Sequence, residues 1–190
     1  RKSFHLFLGI GFVILFYLLG REKLTILNCF ACLIGIVLSE MCLRGYKIPI
    51  ITYAIILMDR PEDVEFRPGL GPFTFVTGIT IALALPYFGL HVSDSITLSA
   101  ILITAISDTF STITGVHVGQ HCWPWNPRKS LEGSCANFIA SFILLLLVFH
   151  KVIIAITVAA VVMLVESLPH LDDNLNLPLV SSILLFLLLR

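Results

Sequence analysis

The chain has 190 residues, of which 57% are hydrophobic and 13% charged, the latter about half of the roughly 25% usual in a soluble domain. With a mean hydropathy of +0.99, a soluble fold is excluded. Twelve Lys plus Arg against twelve Asp plus Glu give zero net charge, so neither a nucleic-acid-binding surface nor an acidic tail follows from bulk electrostatics. No low-complexity run or fixed-period repeat interrupts the chain, and residues 1–190 read as one integral membrane domain.

A helix needs about 20 mostly apolar residues to cross a bilayer. In chain order the candidate spans are 4–20, 24–43, 70–90, 95–115, 133–149, 152–167 and 177–189. The first run follows two basic residues as a signal peptide would, but no small-residue cleavage site precedes Arg21-Glu22-Lys23, so it is read as a span. The absence of an initiator Met implies a chain that starts inside a longer one or has been trimmed. The run 48–58, between Lys47 and Asp59, is too short to cross and is read as a half-helix or interfacial helix. The expected fold is therefore all-α: a polytopic transmembrane bundle of about seven spans plus one short half-helix.

Alternating the loops between two sides makes the polar chemistry lopsided. Arg1, Lys2, Arg44, Lys47, Arg60, Arg67, Arg128 and Lys129 fall on one side, and Arg21, Lys23, Lys151 and Arg190 on the other. The positive-inside rule makes the first face cytoplasmic. Most acids fall there too, including Glu40, Asp59, Glu62, Asp63, Glu65, Glu132, Glu166, Asp172 and Asp173. The solvated loop is the default for the 59–65 acids with Arg60 and Arg67.

Asp108 is the most informative residue. It stands seven residues before Gly115, roughly 10 Å into its helix from the cytoplasmic end. An acid at such a depth costs roughly 2.5 to 3.5 kcal/mol on insertion scales, and such residues face the bundle interior or a wet cavity. Thr104, Asp108, Ser111, Thr112 and Gly115 share one helical stripe, and Ser130, Ser134, Asn137 and Ser141 form a second that can face it. Between them, Arg128 and Lys129 adjoin Ser130 and the Gly133-Ser134 helix start, combining the cations, hydroxyls and free N–H groups that phosphates require. A Walker-type loop is excluded, because Trp123 and Arg128 occupy its glycine positions.

Glu166 ends a span, and Asp172-Asp173-Asn174 follow, with Pro178 opening the last helix. Such hard oxygen donors suit Mg²⁺, and equally suit helix capping. Cys29 and Cys32 lie inside an apolar span and read as buried small hydrophobes. His117, His121 and Cys122 have metal-ligand spacing, but Gly119 interrupts the segment and no fourth ligand is evident.

Together, Arg1-Lys2-x-Phe4-His5, Asp108-x6-Gly115-x3-Gly119, Lys129-Ser130-Leu131-Glu132-Gly133-Ser134, and Glu166 with Asp172-Asp173-Asn174 resemble the CTP-dependent lipid kinases. That family includes dolichol kinase, phytol kinase and CTP-dependent diacylglycerol kinase, and is related to the phosphatidate cytidylyltransferases. The resemblance implies transfer of the γ-phosphoryl group of CTP to the hydroxyl of a lipid alcohol such as dolichol or phytol, with Mg²⁺ or another divalent cation. By resemblance, Arg1, Lys2, Asp108 and Gly115 fall on the family's functional positions and Lys129 to Ser134 on its nucleotide-binding motif; the mechanism expected of these residues makes Asp108, Lys129 and Glu166 catalytic. Arg1, Lys2, His5, Gly115, Gly119, Arg128, Lys129, Ser130, Glu132, Gly133 and Ser134 bind the nucleotide, while Asp108, Asp172, Asp173 and Asn174 hold the metal. The nucleotide site then faces the cytoplasm of a multi-pass protein, and Glu166, or Asp108 through water, takes the acceptor proton.

The chain departs from the family at Thr109 and Phe110, where small residues are common, and at Trp123-Pro124-Trp125-Asn126-Pro127, which bears on base recognition. Cytidylyl transfer is the nearest alternative, yet the acidic Asp-Arg-x-Asp ending of those enzymes is missing after Asn137. A transporter is the other, suggested by the short 48–58 run and an intramembrane acid, but no inverted repeat accompanies them.

Overall fold

The computed structural model describes residues 2–46, 49, 69–169 and 172–190, with side chains from His5 onward. Arg1, the Lys2 side chain, the expected half-helix at 48–58 apart from Pro49, and the acids and arginines of 59–67 lie outside the described residues. The elements are α1 (Lys2–Leu43), α2 (Leu70–Ala84) with a 3-10 turn at Leu85–Phe88, α3 (Asp94–Val118), the strands β1 (Cys122–Trp123) and β2 (Asn126–Ser130), α4 (Leu131–Phe149), α5 (Val152–Ser167) and α6 (Asp173–Leu189).

Four helical stretches, His5–Leu43, Leu70–Phe88, Asp94–Val118 and Leu131–Phe149, are long and apolar enough to cross a membrane; Val152–Ser167 and Asp173–Leu189 are apolar but shorter. The Arg21-Glu22-Lys23 turn expected between the first two spans is not a separate loop. Gly20 alone leaves helical geometry, at φ 77° and ψ 166°, a conformation that costs glycine little because it has no Cβ. The contacts on either side of Gly20 run in opposite directions along α2. Before it, the His5 ring lies 5.0 Å from that of Phe75, whereas after it Cys32 Sγ lies 3.6 Å from Thr77 Oγ1 and Gly35 faces Phe73. The chain thus passes along α2 and returns.

Capping explains the other boundaries. The Ser93 hydroxyl accepts from Ile96 N at the start of α3, and Ser130 accepts from Gly133 N at the start of α4. His150, in the left-handed region at φ 53°, ends α4. Asp172 caps α6 by accepting from Asn174 N at 2.9 Å. The last helix therefore begins at Asp173, and Pro178 lies inside it rather than opening it. Proline there removes the N–H that would bond to the carbonyl of Asn174. Gly78 of α2 packs against that opened turn: a Cβ on it would stand 2.2 Å from Asn174 O and 2.9 Å from Pro178 Cγ.

Helix α3 is central and packs against α1, α4 and α6; α2 bridges α1 and α6, and α5 packs on α4 and α6. Two apolar clusters fill the interior. Phe12, Phe16, Leu24, Phe75, Ile79, Leu83 and Ile101 join α1, α2 and α3. Leu85, Val92, Ile96, Ile103, Leu145, Val158, Val162, Leu177 and Leu185 fill the space among α3 to α6. Large apolar side chains such as Tyr17, Phe30, Val116 and Ile153 cover the outer faces, as suits helices solvated by lipid.

The all-α expectation holds for the fold, with one short insertion of strand between α3 and α4. Residues 122–130 form an antiparallel hairpin, with Cys122 opposite Ser130 and Trp123 opposite Asn126. A two-residue strand carries no legible alternation, and the two prolines flanking Trp125-Asn126 read as a loop.

Candidate functional site

The hairpin brings Lys129 over the ends of three helices. Asp108 comes from α3, Glu166 from the last turn of α5 and Asp173 from the first residue of α6. These carboxylates offer oxygens that all lie within 4.8 Å of one another. Asp108 is 1% exposed and Glu166 fully buried. The Lys129 ammonium donates to Glu166 Oε1 and, at 2.7 Å, to Asp173 Oδ2. Burial opposes the charge of Lys129, but the carboxylates of Asp173, Glu166 and Asp108 outweigh it and hold the ammonium above its ordinary range.

Hydroxyls complete the cage around Glu166. Ser111 donates to Oε1 at 2.9 Å and Ser134 to Oε2 at 3.3 Å. Ser111 belongs to the α3 polar stripe and Ser134 to that of α4, so the two stripes meet across this acid. They meet again deeper in the bundle, where Ser107 Oγ and Ser141 Oγ lie 2.6 Å apart and Ser141 donates to Asn137 Oδ1. On the other side, His5 Nδ1 of α1 stands 3.5 Å from Asp108 Oδ2.

Close backbone approach makes the seam possible. A Cβ on Gly133 would stand 2.6 Å from Ser111 O and 3.3 Å from Gly115 Cα, and one on Gly119 would stand 2.8 Å from Ser130 Oγ. Gly115, Gly119 and Gly133 thus occupy the α3–α4 crossing beside the acids. Ser130 is the cap of α4. Glu132 turns to His121, accepting from its N and from Nδ1 at 2.7 Å. Arg128 is exposed on β2, where its backbone N–H donates to Asn126 Oδ1.

The sequence grouped Asp172, Asp173 and Asn174 together, but the helix start separates them. Asp172 is turned to backbone as the α6 cap, and Asn174 points to α2, its amide 3.5 Å from Gly71 O and Thr74 Oγ1. Asp173 is the member that joins Asp108 and Lys129, and Glu166 is the third carboxylate. Sequence reading missed the anchors of the hairpin. Asn126 Nδ2 donates to Ser167 O and Trp125 Nε1 to Ser167 Oγ, while Trp123 Nε1 donates to Ser134 Oγ. The only signal for these was adjacency: Ser167 follows Glu166.

An all-carboxylate donor set is hard and suits Mg²⁺ rather than a thiophilic metal. Three carboxylates against one ammonium leave two formal negative charges, the complement of one divalent cation. Among the described residues this is the grouping of acids, histidines or cysteines with spacing for a metal. His117 and His121 are bonded to Ile113 O and Glu132, and Cys29 and Cys32 are free thiols, Cys29 exposed on the outer face of its helix and Cys32 half-buried rather than both buried as expected.

The chain is similar to known proteins over nearly its whole length. It is 28% identical to "Probable phytol kinase 2, chloroplastic" of Oryza sativa subsp. japonica, covering 95% of this chain and 63% of that protein. It is 30% identical to "Probable phytol kinase 3, chloroplastic" of Glycine max, over 95% and 60% respectively. An uncharacterised protein of Methanocaldococcus jannaschii is 27% identical over 97% of this chain and 91% of its own length. The chain therefore spans about three-fifths of the plant relatives it matches. No family model and no solved structure matches it.

Proposed function

We propose that the chain is a lipid kinase akin to the phytol kinases it resembles, and that it transfers the γ-phosphoryl group of CTP to the hydroxyl of a polyprenyl-type alcohol such as phytol or dolichol. The observation that carries this reading is the convergence of Asp108, Glu166 and Asp173 on Lys129 at one end of an apolar helix bundle. Counting α1 as two passes divided at Gly20, with the two shorter apolar helices, would make seven crossings, and the excess of Lys and Arg in the loops at that end supports a cytoplasmic site.

Phosphoryl transfer is catalysed mainly by positioning and charge neutralisation. Lys129 lies where it can meet the polyphosphate, with Arg128 beside it and Arg1 and Lys2 assigned the remaining phosphate charge. The oxygens of Asp108, Glu166 and Asp173 would hold a divalent cation, which when bound neutralises phosphate charge as the transition state forms. Glu166 already accepts from Lys129, Ser111 and Ser134, so Asp108 is assigned the acceptor proton. The acceptor oxygen bonds to the γ-phosphorus, the β–γ bridging bond breaks, and CDP leaves. An acid roughly 10 Å deep suits an alcohol whose hydroxyl rides near the headgroups while its tail stays in lipid.

The test is incubation of the full chain in lipid nanodiscs with CTP labelled at either the α- or the γ-phosphate, alongside labelled ATP, GTP and UTP, and with phytol, dolichol, geranylgeraniol and diacylglycerol. Only γ-label from CTP is expected in the lipid product. Incorporation of α-label would replace the kinase reading with cytidylyl transfer, and no lipid labelling from any nucleotide would overturn both.

A further inference from the structure

The chain contains two tryptophans, both in the hairpin, and neither has a part in the chemistry just described. Their rings stack at 4.6 Å between centroids with an interplanar angle of 29°. Trp125 remains 48% exposed. A tryptophan that anchors a protein at the bilayer surface turns its N–H toward the headgroups and its ring toward lipid. Here both N–H groups point inward. Trp123 Nε1 donates to Ser134, which itself donates to Glu166, and Trp125 Nε1 donates to Ser167, the neighbour of Glu166. These two hydrogen bonds tie the rings to the residues around Glu166, while Trp125 stays half-exposed. Three to four residues further along the same hairpin stand Arg128 and Lys129, the cations assigned to the phosphates.

We infer that the Trp123–Trp125 stack is a platform for the nucleobase, so that a nucleotide lies along the hairpin with its base on Trp125 and its phosphates at Lys129. The inference rests on the kinase reading and adds to it the place of the base. Stacking is tolerant of base identity because every base has a π-face. The platform therefore supplies affinity for nucleotides in general, and the choice of CTP over ATP belongs to groups that meet the edge of the base.

Because both tryptophans sit here, the tryptophan fluorescence of the full chain, excited selectively over its tyrosines, reports on this stack alone. In nanodiscs, CTP and ATP are expected to quench it saturably, whereas inorganic tripolyphosphate, which offers phosphates without a base, displaces labelled CTP with little quenching. Trp125→Ala is expected to weaken labelled-CTP binding about tenfold, with tripolyphosphate affinity unchanged. Trp125→Phe keeps a flat ring and should recover most of the loss, which separates stacking from misfolding. Parental CTP affinity in Trp125→Ala would overturn the platform and leave the kinase reading standing. Failure of the parental chain to bind CTP would overturn both.

Discussion

Both ends of the bundle set a basic side chain against carboxylates, yet the two arrangements do different things. At one end, Arg21 donates to Asp94 Oδ1 through Nε at 3.1 Å and Nη2 at 2.6 Å, and the Asp94 side chain is 68% exposed. One cation meets one anion, and water screens the carboxylate. At the other, roughly 20 Å along α3, Lys129 meets two carboxylates directly, with Asp108 close behind and both Asp108 and Glu166 out of water. An exposed pair contributes about 0–1 kcal/mol, whereas burying charge is costly unless each group is paired and hydrogen-bonded. The first arrangement suffices to tie α1 to the start of α3. The second carries more negative charge than it neutralises, and such an excess is expected where a cationic ligand completes the site.

The sharpest way to break this contrast is at Asp108. Asp108→Asn keeps the shape and removes the charge. Lipid phosphorylation should fall about 10³-fold or more, while membrane insertion and detergent-solubilised yield stay near those of the parent. Near-normal turnover would show that the buried acids are structural.

Next in size is the loss of the Lys129 cation from the cluster. Lys129→Met leaves three carboxylates facing one another, and breaking a buried pair on one side costs about 3–5 kcal/mol. Thermal unfolding in detergent should register the drop, and millimolar Mg²⁺ should restore part of it by mass action. The parental protein should gain less from Mg²⁺ than the variant, and Asp94→Asn should show the same Mg²⁺ response as the parent. A variant as stable as the parent without Mg²⁺ would contradict the charge argument.

The contrast also shows what a sequence can reveal. An aspartate inside an apolar span and a lysine-serine turn stand out against their surroundings, and Glu166 is conspicuous at the end of a span. The choice between Asp172 and Asp173 was not legible, because neighbours of identical chemistry are distinguished only by the phase of the helix start: one caps it and the other projects from its first turn. Nor were Asn126 and Ser167, whose partners are brought together only when the hairpin folds back onto α5. A break after the first span was legible at Arg21-Glu22-Lys23, but that Gly20 alone suffices to reverse the chain depends on the packing of both halves of α1 against α2.

A smaller effect is expected where the two polar stripes touch through backbone. In Gly133→Ala the new methyl meets Ser111 O at 2.6 Å and Ser130 Oγ at 3.0 Å. The hydroxyl can rotate, but the carbonyl belongs to α3 and must move with its helix. Overpacking of this kind costs about 1–3 kcal/mol. Because the displaced turn holds Ser111, and through it Glu166, kcat should fall more than stability implies. Parental stability together with parental kcat would show that the crossing has more room than the backbone distances indicate.

The smallest change is expected at the exposed pair. Asp94→Asn removes the carboxylate that Arg21 meets and an acid from the first turn of α3, where the helix dipole favours negative charge. Ser93 still caps the helix, and Arg21 still lies against the Phe16 ring, its guanidinium carbon 5.9 Å from the ring centroid. The loss should stay within about 1 kcal/mol and shrink as salt is raised, with turnover unchanged. Salt titration of the melting temperature in parent and variant measures this directly. A loss comparable to that of Lys129→Met would mean that Arg21 and Asp94 are buried by membrane or partner, and that the two ends of the bundle are electrostatically alike.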